Sequence, residues 1–424
     1  ISNAYLQGKE VDRIILYKIP KGGIPERDIP EGTILAARVP IYGTRDAGRG
    51  FWLKLRDEML ARGYELNRIL PTMFVLRHEG KIVGVMSSNV DDLLYGHLDG
   101  FEDKINNVLD SFSVRERQEA PFRFCGKEVN QDADFSIKVT AKDNTEKIRP
   151  ITVHEIGGRK KKLTDKNDAK ETTALRSVVA SLAWIARQVR PALSYRVSKL
   201  QTVAGDGCIK DIRECNKVLD YALQTSDEGL FFTSNFDDWD DCVVTSISDA
   251  SFANETSVDG QLETGRSQQG HVIVLGPANV ANAETANVHP ISWGSTVIKR
   301  VCRSTLQAET FAMIRGTETG ARIRAGIVDM RGKLDLKDWE ISSAKHMGHC
   351  WMTDCDSLFE HLTTPKMNSI DNKRLGIDLM ALRQLVWERG GERTQYIDHD
   401  NGDYPRWIDT STMVADPLTK AMGD

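Results

Sequence analysis

The sequence predicts an α+β multidomain protein whose C-terminal third contains a mixed five-stranded sheet. Length is the first indication, because 424 residues correspond to about three domains of ~150 residues each. The second is the alternation of strand-like and helix-like apolar patterns along the chain. The third is the order of elements after residue 241, where three strands precede a helix and a strand, and then helix, strand and helix follow. That order is an α/β pattern with an antiparallel start.

Composition excludes several classes of protein. Hydrophobic residues make up 40% of the chain and charged residues 28%, and no run approaches the ~20 apolar residues of a membrane span. Charged residues interrupt any N-terminal signal sequence, so we expect an intracellular protein with no membrane partner. A net charge of −5 argues against indiscriminate nucleic-acid binding but allows a local basic groove. The seven scattered cysteines predict reduced thiols without a cysteine metal site.

Residues 1–135 predict a first domain of mixed strands and helices. Four strands are expected, at residues 14–19, 72–78, 81–86 and 122–129. Two helices are expected, at residues 50–62 and 101–112. The strand at 81–86 leads into Asp91-Asp92, and a second apolar run follows. This pattern predicts a hairpin with both carboxylates at its tip.

Two adjacent aspartates admit two interpretations. One is a solvated turn, which is the ordinary place for such a pair. The other is a cation site, because neighbouring carboxylates repel each other and are costly to bury without a counter-charge. Mg²⁺ takes oxygen ligands and bridges carboxylates to substrate phosphates, so Asp91 and Asp92 are candidates for a phosphoryl-transfer site.

Residues 136–240 predict a second, mostly helical region. Three helices are expected, at residues 173–187, 192–202 and 211–225. Arg159-Lys160-Lys161-Lys162 is interpreted as a solvated basic loop, with contact to a phosphate backbone as the alternative. The acidic stretch at residues 236–241 indicates a boundary.

Residues 241–424 predict a third domain in which acidic residues follow strands or lie on a helix. Strands are expected at residues 242–247, 270–275, 291–293, 349–353 and 393–397. A long helix is expected at residues 304–330 and a last helical segment at 412–421. The candidate ligands are Asp249, Glu309, Asp354 and Asp416. Carboxylates at strand ends and on a facing helix can converge, and four converging carboxylates require cations.

The bland interpretation of each carboxylate is surface solvation, the usual state of a charged residue. Asp249 and Asp354 directly follow apolar strands, and Glu309 lies among apolar neighbours, which favours a functional site. Asp356 competes with Asp354 for the third position. Asp354 is preferred because active sites gather at strand ends in sheets of this kind.

Several motifs in order resemble the reverse transcriptase and ribonuclease H part of copia-type LTR retrotransposon Pol polyproteins. In the first region these are residues 41–52, similar to the family's Leu-Tyr-Gly-Leu-Lys-Gln-Ala-Pro-Arg-Ala-Trp stretch, and Asn89-Val90-Asp91-Asp92-Leu93-Leu94, similar to its polymerase hairpin. Residues 175–182, Arg190-Pro191 and Val197-Ser198 resemble its connecting region. Three further stretches resemble its ribonuclease H blocks, namely residues 248–250, 304–309 and 415–420.

The resemblance implies a partial reverse-transcriptase palm at residues 1–135, a helical thumb and connection at 136–240, and a ribonuclease H-like α/β domain at 241–424. Asp91 and Asp92 would hold Mg²⁺, with Mn²⁺ as the alternative, for transfer of dNTPs onto a template-primer. A second set of carboxylates would hold two such ions and cleave RNA in an RNA/DNA hybrid, namely Asp249, Glu309, Asp354 and Asp416. Upstream polyprotein segments (fingers, integrase and protease) are implied as partners, in a virus-like particle or in the nucleus.

The resemblance also assigns residues that contact substrate and shows departures from the family. Tyr5 would take the place of the aromatic residue beside the incoming sugar, with a core tyrosine as the alternative. Arg45 would contact the nucleotide, because Asp46 replaces the family's Gln. Asn89 replaces a Tyr or His. The family's first polymerase aspartate is expected just before Ile1, so we expect impaired polymerase activity. The alternative is an inactive retroelement remnant that only binds nucleic acid or a partner chain.

Overall fold

The computed structural model describes residues 1–10, 13–153, 155, 160–235, 239, 241–253, 265–282, 285–366, 369–389, 392–393, 397 and 402–421. The chain divides into two compact units. The first is formed by residues 1–119 and 329–331, and the second by residues 120–328 and 332–424. The three-domain division therefore stays a prediction. None of the described helices is long and apolar enough to cross a membrane.

Among the residues that the structure describes, the first unit contains two α-helices and two antiparallel sheets. A two-stranded sheet pairs β1 (Ile15–Lys18) with β2 (Ile34–Ala37). Helix α1 (Ala47–Ala61) and then β3 (Tyr64–Leu66), β4 (Met73–His78), β5 (Lys81–Asn89), β6 (Asp92–His97) and α2 (Glu102–Leu109) follow. The four later strands form one sheet in the order β3-β4-β5-β6. The hairpin that the sequence predicts around Asp91 and Asp92 is present, as β5 and β6.

The core of this unit follows from the helical period of α1. Phe51, Leu55 and Met59 are spaced by four residues, so they lie on one face of the helix, and all three are buried. They form one apolar cluster with Phe74 of β4 and Ile105 of α2. The same cluster contains further buried residues of β5, so the hairpin rests on a packed core.

In its described part, the second unit begins with a four-stranded antiparallel sheet and four α-helices. The sheet contains β7 (Phe122–Phe124), β8 (Lys127–Gln131), β9 (Ile137–Thr140) and, after the helices, β10 (Gly229–Phe232). The helices are α3 (Lys142–Glu146), α4 (Ala169–Gln188), α5 (Ser194–Val203) and α6 (Ile209–Gln224). The three longer helices were predicted, whereas β9 and β10 were not.

The N-terminus of α4 corrects the interpretation of one basic residue. Asp168 and Glu171 form a capping box, and the Lys161 ammonium contacts both carboxylates, at 3.1 and 2.6 Å. The side chain of Lys161 is 1% exposed, so it is not part of a solvated loop. The two carboxylates accept hydrogen bonds from backbone N–H groups at the start of α4. Glu171 is buried and needs a positive partner, which explains why Lys161 is buried beside it. Arg159 lies outside the described residues.

The predicted mixed five-stranded sheet is confirmed and follows in the second unit. Its first three strands are β11 (Cys242–Ser251), β12 (Gln268–Pro277) and β13 (His289–Val297), which are antiparallel neighbours. Three helices and the fourth strand follow, as α7 (Thr305–Met330), α8 (Trp339–His346), β14 (His349–Thr353) and α9 (Asp356–Thr363). The remaining elements are α10 (Lys373–Trp387), the two-residue strands β15 (Glu388–Arg389) and β16 (Glu392–Arg393), and β17 (Asp403–Trp407). The strand order is β13-β12-β11-β14-β17, with β14 parallel to both neighbours.

The position of the fifth strand differs from the prediction. The predicted strand at residues 393–397 falls mainly outside the described residues, and β17 completes the sheet instead. Pro405 argues against a strand in the sequence because proline lacks a backbone donor. It is tolerated because β17 lies at the edge of the sheet, where one side of the strand needs no partner.

Candidate active site

Asp249 lies near the end of β11, the central strand of the five-stranded sheet. Every residue of β11 is buried, because strands pair on both sides and helices or loops cover both faces. Asp249 itself is 6% exposed. Its register partner on β12 is Gly270, whose missing side chain leaves room for Leu418 and Thr419 to pack there.

Asp354 comes directly after β14 and is brought level with Asp249 by the parallel register. The last pair between β11 and β14 is Ile247 with Met352, and each aspartate follows its strand's member of that pair by two residues. Trp407 donates its indole N–H to the Asp354 carbonyl oxygen at 3.1 Å. The Thr410 hydroxyl donates to Asp354 Oδ2 at 2.8 Å.

Glu309 reaches the same point from the second turn of α7. It is 4% exposed, and its Oε1 accepts a hydrogen bond from the backbone N–H of Ala250 at 3.3 Å. Its Oε2 is buried and accepts no hydrogen bond from any described residue. Helix α7 therefore places the Glu309 carboxylate beside Ala250, the residue that follows Asp249.

The three carboxylates form one group. Each of Asp249, Glu309 and Asp354 offers an oxygen, and these oxygens lie within 4.8 Å of one another. Among the described residues, no other set of three or more His, Cys, Asp or Glu side chains brings its ligand atoms this close together. Asp356 is outside it, as the exposed first residue of α9. Oxygen ligands, close spacing and the unpaired Glu309 Oε2 fit a hard divalent cation such as Mg²⁺.

Asp416 lies in the short 3₁₀ helix Asp416–Leu418 and is 8% exposed. Its Oδ2 pairs with the Lys420 ammonium at 2.7 Å. Its Oδ1 is buried without a hydrogen-bond donor from the residues that the structure describes. Asp416 is thus near enough to act on Asp249 electrostatically, although it is not one of the three closest ligands.

The surroundings raise the pKa values of two of these carboxylates, Asp249 and Glu309. Burial, together with the charges of Asp416 and Asp354, raises the pKa of Asp249 to about 6, against the lowering effect of the Thr419 hydrogen bond and Lys420. Burial and the charge of Asp249 raise the pKa of Glu309 well above its usual range. A bound cation would supply the positive charge that these carboxylates need to be deprotonated together.

Asp91 and Asp92 lie at the tip of the β5–β6 hairpin, and both are exposed. Val90, the first residue of the turn, has a φ of 56°, which is strained for a β-branched residue. The α-amino nitrogen of Ile1 donates to the Asp91 carbonyl oxygen at 2.8 Å. The described residues place no third acidic, histidine or cysteine ligand with this pair.

The two predicted substrate-binding residues lie elsewhere in the first unit. Tyr5 is half-buried, and its ring centroid is 4.8 Å from that of Tyr42. Arg45 is exposed, and the neighbouring Asp46 forms a two-pronged ion pair with Arg13 at 2.9 and 3.0 Å. Their roles stay predictions.

Sequence reasoning missed the hydroxyl donors of the site. Thr410 binds Asp354, and Thr419 binds Asp249. Thr419 lies within residues 415–420, one of the stretches that resemble the ribonuclease H blocks. That resemblance was the sequence feature that could have identified it. No periodicity or charge pattern marks either threonine.

Comparison with known proteins agrees with the predicted resemblance. The chain is 25% identical over 319 residues to the retrovirus-related Pol polyprotein from transposon RE1 of Arabidopsis thaliana. It is 26% identical over 319 residues to the polyprotein from transposon RE2 of the same plant. Each match covers 73% of the chain and 20% of the relative, so the chain spans about a fifth of the length of these relatives. The resemblance to retrotransposon Pol polyproteins is confirmed. No family model matches the chain.

Two solved structures are similar to part of the chain. RNase H1 from Halobacterium salinarum aligns with 42% of the chain and 93% of its own length, at 16% identity and a TM-score of 0.25. The N-terminal RNase H domain of a Mycobacterium tuberculosis protein aligns with 42% of the chain and 89% of its own length, at 13% identity and a TM-score of 0.23.

Proposed function

We propose that the chain is the reverse transcriptase and ribonuclease H segment of a copia-type retrotransposon Pol polyprotein, and that its second unit cleaves RNA in RNA/DNA hybrids. One observation carries the proposal, namely that Asp249, Glu309 and Asp354 bring carboxylate oxygens within 4.8 Å from three separate elements. The similarity to the Pol polyproteins from transposons RE1 and RE2 supports the choice of nucleic acid as substrate.

The chain's own residues have distinct parts in this reaction. Asp249, Glu309 and Asp354 would hold Mg²⁺ or Mn²⁺, and Asp416 would add a fourth carboxylate beside them. When bound, such cations supply Lewis-acid activation of the phosphodiester and of the attacking water. The paired β11 and β14 and the packed helix α7 hold the ligands on rigid elements, which is what a site of this precision needs.

The polymerase part of the proposal rests on the β5–β6 hairpin. Asp91 and Asp92 would serve as metal ligands for transfer of a deoxynucleotide from a dNTP to the primer 3′-hydroxyl, with release of pyrophosphate. Tyr5 and Arg45 would lie beside the nucleotide. The exposed tip and the strained Val90 support a functional turn, since backbone strain concentrates at such sites. Among the described residues, the hairpin tip brings together two carboxylates, whereas the buried cluster brings together three. The polymerase site therefore has fewer ligands in place than the ribonuclease site.

The experiment is cleavage of an end-labelled RNA annealed to DNA, in 5 mM Mg²⁺ or Mn²⁺, beside the same RNA alone and in an RNA duplex. We expect cleavage of the hybrid alone, and loss of at least ~100-fold in Asp249→Asn, because removal of one ligand from a metal centre removes most of its activation. Asp356→Asn is the matched control, since it changes an exposed neighbouring aspartate outside the cluster.

Two results would contradict this proposal. Undiminished cleavage by Asp249→Asn would remove the cluster from the chemistry. Wild-type protein that binds the hybrid but cleaves it with neither cation would favour the inactive remnant that only binds nucleic acid. Primer extension with dNTPs on the same preparation tests Asp91 and Asp92 separately.

A further inference from the structure

We propose that Thr419 is a positioning residue whose hydroxyl fixes the orientation of the Asp249 carboxylate for cation binding. The inference rests on the proposed function, because it assigns a new residue to the same site. The Thr419 hydroxyl donates a hydrogen bond to Asp249 Oδ2. Thr419 is 0% exposed and Asp249 is 6% exposed, so water cannot readily take the place of this donor.

The fold fixes Thr419 in position from its own segment and from the sheet. Its backbone N–H donates to the Asp416 carbonyl oxygen at 2.9 Å. The preceding residue, Leu418, accepts a hydrogen bond from the Ser295 hydroxyl of β13 at 2.5 Å. The 3₁₀ segment is therefore tied to the same sheet that carries Asp249.

Gly270 makes room for this arrangement. It pairs with Asp249 in the β11–β12 register. A Cβ atom on Gly270 would lie 2.7 Å from Leu418 Cβ and 2.9 Å from Thr419 Cγ2. The Thr419 methyl group thus packs against the Gly270 backbone, beside the Asp249 carboxylate. A side chain at position 270 would displace Thr419.

Orientation matters because Asp249 is surrounded by like charges. Without a donor, a carboxylate among Glu309 and Asp354 would turn its oxygens away from them. A hydrogen bond on Oδ2 fixes the plane of the carboxylate and with it the direction of the other oxygen. Groups that orient metal ligands in this way typically contribute 10- to 100-fold to metal affinity or activity.

Thr410 provides a matched comparison within the same site. Its hydroxyl makes the same kind of bond to Asp354, at 2.8 Å. Thr410 is exposed, so water can replace its hydroxyl when it is removed. A large effect is therefore expected for Thr419 and a small one for Thr410.

The experiment compares Thr419→Val, Thr419→Ser and Thr410→Val with the wild type in the full chain. Mg²⁺ affinity is measured by calorimetry, single-turnover cleavage of the hybrid is measured beside it, and urea denaturation reports folding. We expect Thr419→Val to weaken Mg²⁺ binding and to slow cleavage at fixed Mg²⁺ by about 10- to 100-fold. Thr419→Ser, which keeps the hydroxyl, is expected to stay within about threefold of wild type. Thr410→Val is expected to lose less than Thr419→Val, because water can replace its exposed hydroxyl.

A folded Thr419→Val protein with wild-type Mg²⁺ affinity would overturn the inference, as would a Thr419→Ser protein as impaired as Thr419→Val. Thr419→Ala replaces Thr419→Val if the latter does not fold, and the same outcomes apply. Failure of the proposed function looks different, because the wild type itself would then neither bind Mg²⁺ at the cluster nor cleave the hybrid.

Discussion

Asp249→Asn should stabilise the metal-free protein while abolishing cleavage. In the metal-free state Asp249 is a buried carboxylate beside two others, and its pKa is raised to about 6. Asparagine keeps the shape and an oxygen acceptor for Thr419 but has no charge. The substitution therefore removes the cost of burying this charge, together with the repulsion from neighbouring carboxylates.

The magnitude follows from the difference between folded and unfolded pKa values. A group whose pKa is raised by folding loses stability as pH increases through that folded pKa. Here the loss begins near the ordinary value of 3.8 and is complete above about 6. At 1.36 kcal/mol per pKa unit, the full loss is about 3 kcal/mol. Because the titration is shared with Glu309, we expect a gain of about 1–3 kcal/mol in Asp249→Asn at pH 8.

The assay is urea denaturation in EDTA at pH 8 and at pH 4, with Asp356→Asn as the control. The gain should be present in full at pH 8 and fall to about 0.5 kcal/mol at pH 4, where Asp249 is protonated in the folded state and about 40% protonated in the unfolded state. Addition of Mg²⁺ to about 100 times its Kd should add about 2.7 kcal/mol to the wild type and little to Asp249→Asn. A variant that is no more stable than wild type at pH 8, or equally stabilised at pH 4, would refute the electrostatic reasoning.

Three further substitutions test the packing of the two units by urea denaturation. Gly320→Ala should destabilise the protein by about 3 kcal/mol or more, because the new Cβ would lie 2.3 Å from His349 Nε2 and 2.4 Å from Ser246 Oγ. Gly316→Ala, one turn earlier and with its nearest contact at 3.6 Å, should instead stabilise by about 0.5–1 kcal/mol through helix propensity, and equal effects of the two would contradict this account. Val90→Gly should stabilise the first unit by about 1 kcal/mol, because it relieves a positive φ of 56°, and a loss of stability would show that the turn is not strained.

Periodicity predicted much of the fold because packing agrees with local pattern. The apolar face of α1 and the strands β4 and β5 lie within a few residues of their expected positions. The strand predicted at residues 349–353 has the bounds of β14. In these elements one face or both faces are buried, so the sequence carries the period of the structure.

Elements whose stability comes from neighbours could not be predicted in this way. Strand β17 contains Pro405 and is a strand because β14 pairs with it. Strand β10 joins the sheet through β9, some 90 residues earlier in the chain. Lys161 has the sequence context of a solvated loop, yet it is buried against the carboxylate of Glu171, which is 0% exposed at the start of α4.

The candidate site shows the same division between local and long-range information. Strand ends and an apolar helix face identified the three clustered carboxylates as candidates, because those positions are defined by local pattern. Their convergence depends on the parallel register of β11 with β14, which no local pattern specifies. The role of Thr419 depends on its hydrogen bond to Asp249. That contact is visible only in the folded structure, because the two residues are far apart in the sequence.

Burial explains why the two acidic sets differ in what they can do. Asp91 and Asp92 are exposed, so water solvates their charges and a cation would gain little by replacing it. Asp249 and Glu309 are 6% and 4% exposed, and burial, together with repulsion from neighbouring carboxylates, already raises their pKa values. A cation at the buried cluster would therefore gain both ligand bonds and relief of that repulsion. For this reason we expect divalent cations to occupy the buried cluster at lower concentration than the hairpin tip, and cation-dependent stabilisation to disappear in Asp249→Asn but persist in Asp91→Asn.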